Sequence, residues 1–152
     1  MAILRTLVRR ETSLKNVLTL VGSLSALREL AAEHDFSRAL VLPTAAAYLG
    51  VEQAVSALRA VIADFDLLSV VDRAGAMASE NAQRVRDAQR VICLDGAVLH
   101  ARSVWRNSPL AEALAEVEVV AIGQVGSVFG EVMIDPRGGA PTTGMGWFAS
   151  RF

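Results

Sequence analysis

Residues 17–42 read VLTLVGSLSALRELAAEHDFSRALVL, and this stretch decides the fold. Val17 to Val21 is a run of aliphatic and β-branched residues, the composition of a strand buried on both faces. Gly22 interrupts it, and Ser23 or Ser25 offers a hydroxyl to a helix N-terminus. Leu27, Leu30 and Ala31 then recur at helical spacing toward His34. Ala39 to Leu42 returns to strand composition and stops at Pro43, whose ring fixes φ and removes the N–H that a ladder needs. A strand, a helix and a second strand in so few residues make a βαβ unit, so the two strands run parallel.

The same alternation continues along the chain. Val51 to Phe65 carries Val55, Leu58, Val61 and Ile62 on one helical face, and Asp66 to Val71 reads as the third strand. Ser79 is placed to cap a helix through Ala82, Val85 and Ala88, and Val91 to Leu94 is the fourth strand. Ser108 before Pro109 joins a capping residue to a proline suited to the first helical position, which predicts a helix over Leu110 to Leu114. Glu116 to Ile122 supplies the fifth strand. The pattern predicts an α/β domain over 17–135, with an open, doubly wound, mainly parallel five-stranded sheet flanked by helices. A basic arm (1–16) precedes it, and a glycine-rich tail with an aromatic end (136–152) follows.

Composition narrows the chemistry. The 152 residues are 53% hydrophobic and 20% charged, with a net charge of −1. That is too apolar for disorder and apolar enough to imply a surface that meets a partner. No run approaches a membrane span, and the start lacks the unbroken apolar stretch of a secretory signal, so the cytoplasm is the expected compartment. With one cysteine, Cys93, and two histidines, His34 and His100, neither a disulfide nor a structural zinc site can be assembled, and no cofactor is implied. The near-neutral balance argues against general nucleic-acid binding.

Charge is uneven, however. Arg5, Arg9, Arg10 and Lys15 against Glu11 give residues 1–16 a local +3 and leave −4 for the rest. Ile3, Leu4, Leu7 and Val8 suit an amphipathic helix, although so short a window also allows a strand. An Arg-rich, acid-poor start is shared with organelle transit peptides. A docking arm is the favoured reading, with a packed terminal element as its rival.

Sites in doubly wound sheets lie at the carboxyl ends of the strands. That rule nominates Gly22 and Ser23, Thr44, Asp72 and Arg73, Asp95 and Gly96, and the run Gly123 to Ser127 as possible ligand contacts. Backbone amides near Gly22, Gly96 and Gly123 could meet an anion. Asp95 with His100 could orient a general base, or Asp95 could simply cap the helix beginning near Ala97. Gly123-Gln124-Val125-Gly126-Ser127 has the strand, tight turn and helix arrangement of a nucleophile elbow, yet neither Ser nor Cys stands at its apex. Ser127 comes one turn too late, where its hydroxyl is expected to bond its own backbone.

Several strings, in order, complete the picture: Val41-Leu42-Pro43-Thr44-Ala45-Ala46-Ala47, Ser79-Glu80-Asn81-Ala82, Arg102-Ser103-Val104-Trp105, Ser108-Pro109-Leu110-Ala111-Glu112-Ala113-Leu114 and Met133-Ile134-Asp135-Pro136-Arg137-Gly138-Gly139-Ala140. Over roughly 17–146 the chain resembles cyanophycinase and the aspartyl dipeptidase peptidase E, whose bacterial members are often labelled type 1 glutamine amidotransferase-like. The resemblance implies a flavodoxin- or glutamine-amidotransferase-like sheet. It also implies a serine nucleophile in a G-x-S-A-G-A elbow and a histidine farther along. Here the nucleophile position falls on Gly123, or on Gln124 in an alternative alignment. A family turn of G-G-G or G-G-D is replaced by Asp95-Gly96-Ala97, no histidine follows His100, and the family's usual C-terminal portion is expected to be missing.

The expectation is therefore a scaffold that has lost hydrolysis and serves as an interaction or assembly subunit, in a homo-oligomer or with another protein. Its expected contacts are Arg5, Arg9 and Arg10 in the arm and Trp147, Phe148 and Phe152 in the tail, unless the tail folds onto its own domain. Two alternatives stand beside it: a hydrolase of altered mechanism using Ser127, His100 and Asp95 or a site completed by a partner chain, and a module binding a small ligand or anion at Gly22, Ser23, Thr44 and Gly96.

Overall fold

The computed structural model describes residues 3–10, 13–130, 132–133 and 142–147. The strands β1 (Ile3–Arg10), β2 (Ser13–Val21), β3 (Leu40–Leu42), β4 (Asp66–Leu67), β5 (Arg90–Cys93) and β6 (Glu118–Ile122) form one sheet in the order β1-β2-β6-β5-β3-β4. The five from β2 to β4 in that order are parallel, and β1 is antiparallel to β2. The parallel strands, taken in chain order, do not follow flavodoxin's 2-1-3-4-5, because the first lies at the far side beside the last.

Each face of the sheet has its own core. Val21, Val41, Ile92, Val120 and Ile122 share a cluster with Ala26 and Leu27 of α1 (Leu24–Glu33) and Val55 and Leu58 of α2 (Val51–Arg59). Leu18, Leu42, Val91, Cys93, Val119 and Ala121 face the other way. They pack with α4 (Ser79–Asp87), α5 (Val98–Trp105) and α6 (Pro109–Leu114). The switch from Val91 to Ile92 to Cys93 is the period of two that a strand imposes, with apolar residues needed on both sides.

Helix ends follow their caps. Ser23 Oγ accepts from Ala26 N at 3.2 Å to start α1, and Ser108 Oγ accepts from Ala111 N at 3.1 Å to start α6. Ser79 does not cap α4: it is the first helical residue, and Ala78 holds the cap position without a side-chain bond. A five-residue helix, α3 (Arg73–Met77), was not expected. Asp72 Oδ1 caps it through Gly75 N at 2.9 Å, and one turn is too short to leave a periodicity in the sequence.

Other expectations need correction. Residues 3–10 are a strand and not an amphipathic helix. An isolated helix of that length gains little, whereas pairing satisfies the backbone of β2, whose outer edge would otherwise be open. The register runs from Ile3↔Val21 to Val8↔Asn16, then skips Lys15 to Arg9↔Leu14. The helix expected over 51–65 stops at Arg59, and the third parallel strand pairs only over Asp66–Leu67.

The tail is not separate either. β8 (Thr142–Thr143) pairs antiparallel with β7 (Val132–Met133). The amides of Met145, Gly146 and Trp147 donate to the carbonyls of Val128, Gly130 and Phe129. Trp147 is buried, its ring 4.6 Å from that of Phe129, so it joins the chain's own core and is not an anchor held out for a neighbour. Phe148 and Phe152 lie outside the described residues.

Candidate functional site

Parallel register decides which residues meet at the carboxyl edge. Leu42 pairs with Cys93, Cys93 with Ala121, and Val21 with Ile122. Continuing each strand past its last pair brings Thr44, Asp95, Gly123 and Gly22 into one row. Residues 28 and more apart in the chain become neighbours because the strands share a direction.

Asp95 is the centre of this row. Its Oδ1 accepts from the amide of Gly96 at 2.8 Å and from that of Gln124 at 3.0 Å. The carboxylate thus ties the turn after β5 to the turn after β6. It does not cap α5, whose cap position is Ala97 with no side-chain bond. Gly123 has φ +66°, the left-handed turn that an elbow requires. A Cβ at that position would lie 2.3 Å from Asp95 Oδ2 and 2.6 Å from its Cγ. The sharp bend is therefore present at 123, and the volume beside it is filled by Asp95. Gly96 is equally constrained, since a Cβ there would sit 2.1 Å from the Ala45 carbonyl oxygen, which accepts from Ala97 N.

The remaining candidates are held in other bonds. Thr44 is fully buried: its hydroxyl donates to the Val70 carbonyl at 2.6 Å and accepts from Trp105 Nε1 at 3.1 Å, so it pins α5 to the sheet and is closed to a ligand. Ser23 serves as the α1 cap. Gly22 is exposed at the edge. Ser127 Oγ donates to the Gln124 carbonyl at 2.9 Å, within the 3₁₀ helix Gly123–Phe129. His100 Nε2 lies 2.7 Å from the Val71 carbonyl, which makes that nitrogen the donor. Among the described residues, no hydrogen bond joins His100 to Asp95 or to Ser127. Burial pushes the Cys93 thiol far up, so it stays protonated within the core.

One contributor escaped the sequence reading. Tyr48, 78% exposed, sets its ring edge against His100 at 4.6 Å between centroids. Its neighbour Leu49 is 64% exposed and Leu99 is 40% exposed. Tyr48 and Leu49 lie in the turn that follows Thr44–Ala46, where no helical or strand period applies, and Leu99 lies in the first turn of α5.

A cleft of about 570 Å³ opens at the opposite, amino end of the sheet, lined by Asp35, Arg38, Gln89, Arg90 and Glu118 among others. Of its two arginines, Arg90 is already engaged: it bonds Glu118 Oε2 through Nε and Nη2, donates to the Asp35 carbonyl, and covers the Phe36 ring at 4.4 Å. The Ser37 amide, donating to Asp35 at 2.9 Å, holds that carboxyl below its ordinary range, aided by the Ser37 side chain.

The architecture has a solved counterpart. This chain is similar to a peptidase from an acI-B1 actinobacterium, with a TM-score of 0.68 and 21% identity, over 85% of this chain and 63% of that one. The fold is peptidase-like. This chain spans just under two thirds of that peptidase's length. No protein-family model matches the chain, and no curated protein matches it. Among the described residues, no helix is long and apolar enough to cross a membrane.

Proposed function

We propose that this chain is a non-catalytic homologue of the cyanophycinase and peptidase E kind of serine hydrolase, acting as an interaction or assembly subunit. One observation carries the reading: the elbow residue is Gly123, and the carboxylate of Asp95 occupies the space where its side chain would begin. A covalent route needs a nucleophile at the bend and a base within hydrogen-bond reach of it. Gly123 has no side chain to attack with, and the nearest hydroxyl downstream, Ser127, faces its own backbone. The interaction role is supported by apolar side chains left at the surface beside the same edge, Tyr48, Leu49 and Leu99, together with the high apolar content of the chain.

The test pairs reactivity with mass. Purified protein is treated with a fluorophosphonate probe, beside a reactive serine hydrolase as control, and is offered peptide and isopeptide substrates. No adduct and no turnover are expected. Turnover that disappears when a single hydroxyl, such as that of Ser127, is removed would end this reading. Light scattering after size exclusion is expected to give a mass above one chain, alone or with a co-purifying protein.

A further inference from the structure

We propose that the outer edge of β1 is a docking edge for an acidic extended segment of a partner protein, which joins the sheet as a further strand. β1 is the last strand on its side of the sheet, and among the described residues it pairs with β2 alone. Alternate amides and carbonyls of a strand so placed turn away from the sheet and have no ladder to join. The edge is eight residues long, Ile3–Arg10, and holds neither proline nor glycine to interrupt pairing. The hairpin also outruns the sheet. β2 is nine residues long, yet only Leu18 to Val21 pair with β6. The stretch from Leu7 to Arg10, opposite Val17 to Ser13, is therefore a two-stranded ribbon past the amino end of β6. Two strands alone are marginal in water, and a third stabilises them. A strand laid on β1 supplies it along the whole edge, whereas the other side of β2 is taken by β6 from Leu18 onward.

Charge decides which strand fits. Arg5, Arg9 and Arg10 stand in β1 and Lys15 in β2, and neither strand contains Asp or Glu. Arg5, Leu7 and Arg9 occupy alternate positions and so one face of the strand. Residues directly opposite across a ladder share a face, and like charges there destabilise the pair. A cationic edge therefore discourages a second copy of itself and other basic strands. It favours a partner whose carboxylates fall four residues apart, opposite Arg5 and Arg9, with an apolar residue between them opposite Leu7. Main-chain bonds supply the docking, and the two carboxylates supply the choice of partner. This deepens the interaction reading above by naming a surface and the chemistry that fits it. It rests on that reading for the existence of a partner and not for the loss of hydrolysis.

The experiment titrates the full chain, labelled with ¹⁵N, with acetyl-Thr-Glu-Thr-Val-Thr-Glu-Thr-amide. Three further peptides replace both Glu by Gln, both Glu by Lys, or Val by Pro. The Glu peptide is expected to bind saturably, to shift the amide signals of β1 and to slow hydrogen exchange at every second β1 amide, the period that one added strand imposes. The Gln peptide is expected to bind about three- to tenfold more weakly at low salt, the range for two exposed ion pairs, and the Lys peptide more weakly still. The Pro peptide keeps both charges, loses the central amide and is expected to lose most of the affinity. The double variant Arg5→Glu, Arg9→Glu, its fold checked by circular dichroism, should reverse the ranking and bind the Lys peptide best. Equal affinities for the Glu and Gln peptides, or for the Val and Pro peptides, would overturn the proposal, and both comparisons use the unaltered protein. So would slow exchange at every β1 amide in the free chain that is relieved by dilution, since the edge would then belong to a second copy. A mass above one chain with no peptide bound would overturn the docking edge while leaving the interaction reading in place. Turnover of a substrate would end the non-catalytic reading and leave these affinities untouched.

Discussion

Replacing Gly123 with alanine tests the elbow geometry directly. A residue with a Cβ at φ +66° pays roughly 1–2 kcal/mol for the left-handed conformation. The new Cβ would also start 2.3 Å from Asp95 Oδ2 and 3.1 Å from Oδ1, so the carboxylate must leave. Its two amide bonds are lost with it, at about 0.5–1 kcal/mol each because water can reach an exposed Asp95 and partly replace them. The sum is about 2–4 kcal/mol, or very roughly 4–16 °C in Tm for a domain of this size. Urea unfolding followed by circular dichroism measures it. Asp95→Ala alone should cost about 1–2 kcal/mol, and the double variant should be less destabilised than the two singles added together, by about 1–2 kcal/mol, because the displaced carboxylate is counted only once. Effects that add to within about 0.5 kcal/mol would show that Asp95 does not fill the space beside Gly123, and the argument built on that contact would fail. Gly123→Ser should behave as the alanine does and take no fluorophosphonate, since His100 Nε2 is engaged by the Val71 carbonyl.

Other consequences are checked more simply. Thr44→Val strands the Val70 carbonyl and Trp105 Nε1 in the core and should cost about 2–4 kcal/mol in urea unfolding, while Thr44→Ser, which keeps the hydroxyl, should cost clearly less. Arg73 donates to the carbonyls of Val104, Arg106 and Asn107 at the end of α5, so Arg73→Ala should lower stability by about 1–2 kcal/mol, with Arg73→Lys restoring only part because one ammonium cannot span three acceptors. Cys93 should resist iodoacetamide in the folded protein and react fully in denaturant. Its thiol is raised in the folded state, so the native chain binds the extra proton above the unfolded thiol's value of about 8.5; stability should therefore decline as pH rises beyond that point, and Cys93→Ala should flatten the decline in a pH series of unfolding curves.

Local patterns carried most of the architecture. Runs such as Val17 to Val21 and Val91 to Cys93 are too apolar for anything but a strand covered on both faces, and Ser23 and Ser108 start helices where a hydroxyl precedes helical spacing. These are short-range preferences, and a chain expresses them wherever it folds. The N-terminal segment defeated the same logic, since eight residues with Ile3, Leu4, Leu7 and Val8 fit either period, and only the open edge of β2 selected the strand. Trp147 was equally undecided by sequence, because whether an aromatic near a glycine-rich run returns to its own core depends on Phe129 being there to meet it. The site shows the division most clearly. That position 123 lacks a nucleophile is written in the chain, and so is the presence of Asp95 at the end of a strand. That the two coincide follows from the pairing of Cys93 with Ala121, a register between strands set by packing across the whole sheet, and no reading of neighbours along the chain contains it.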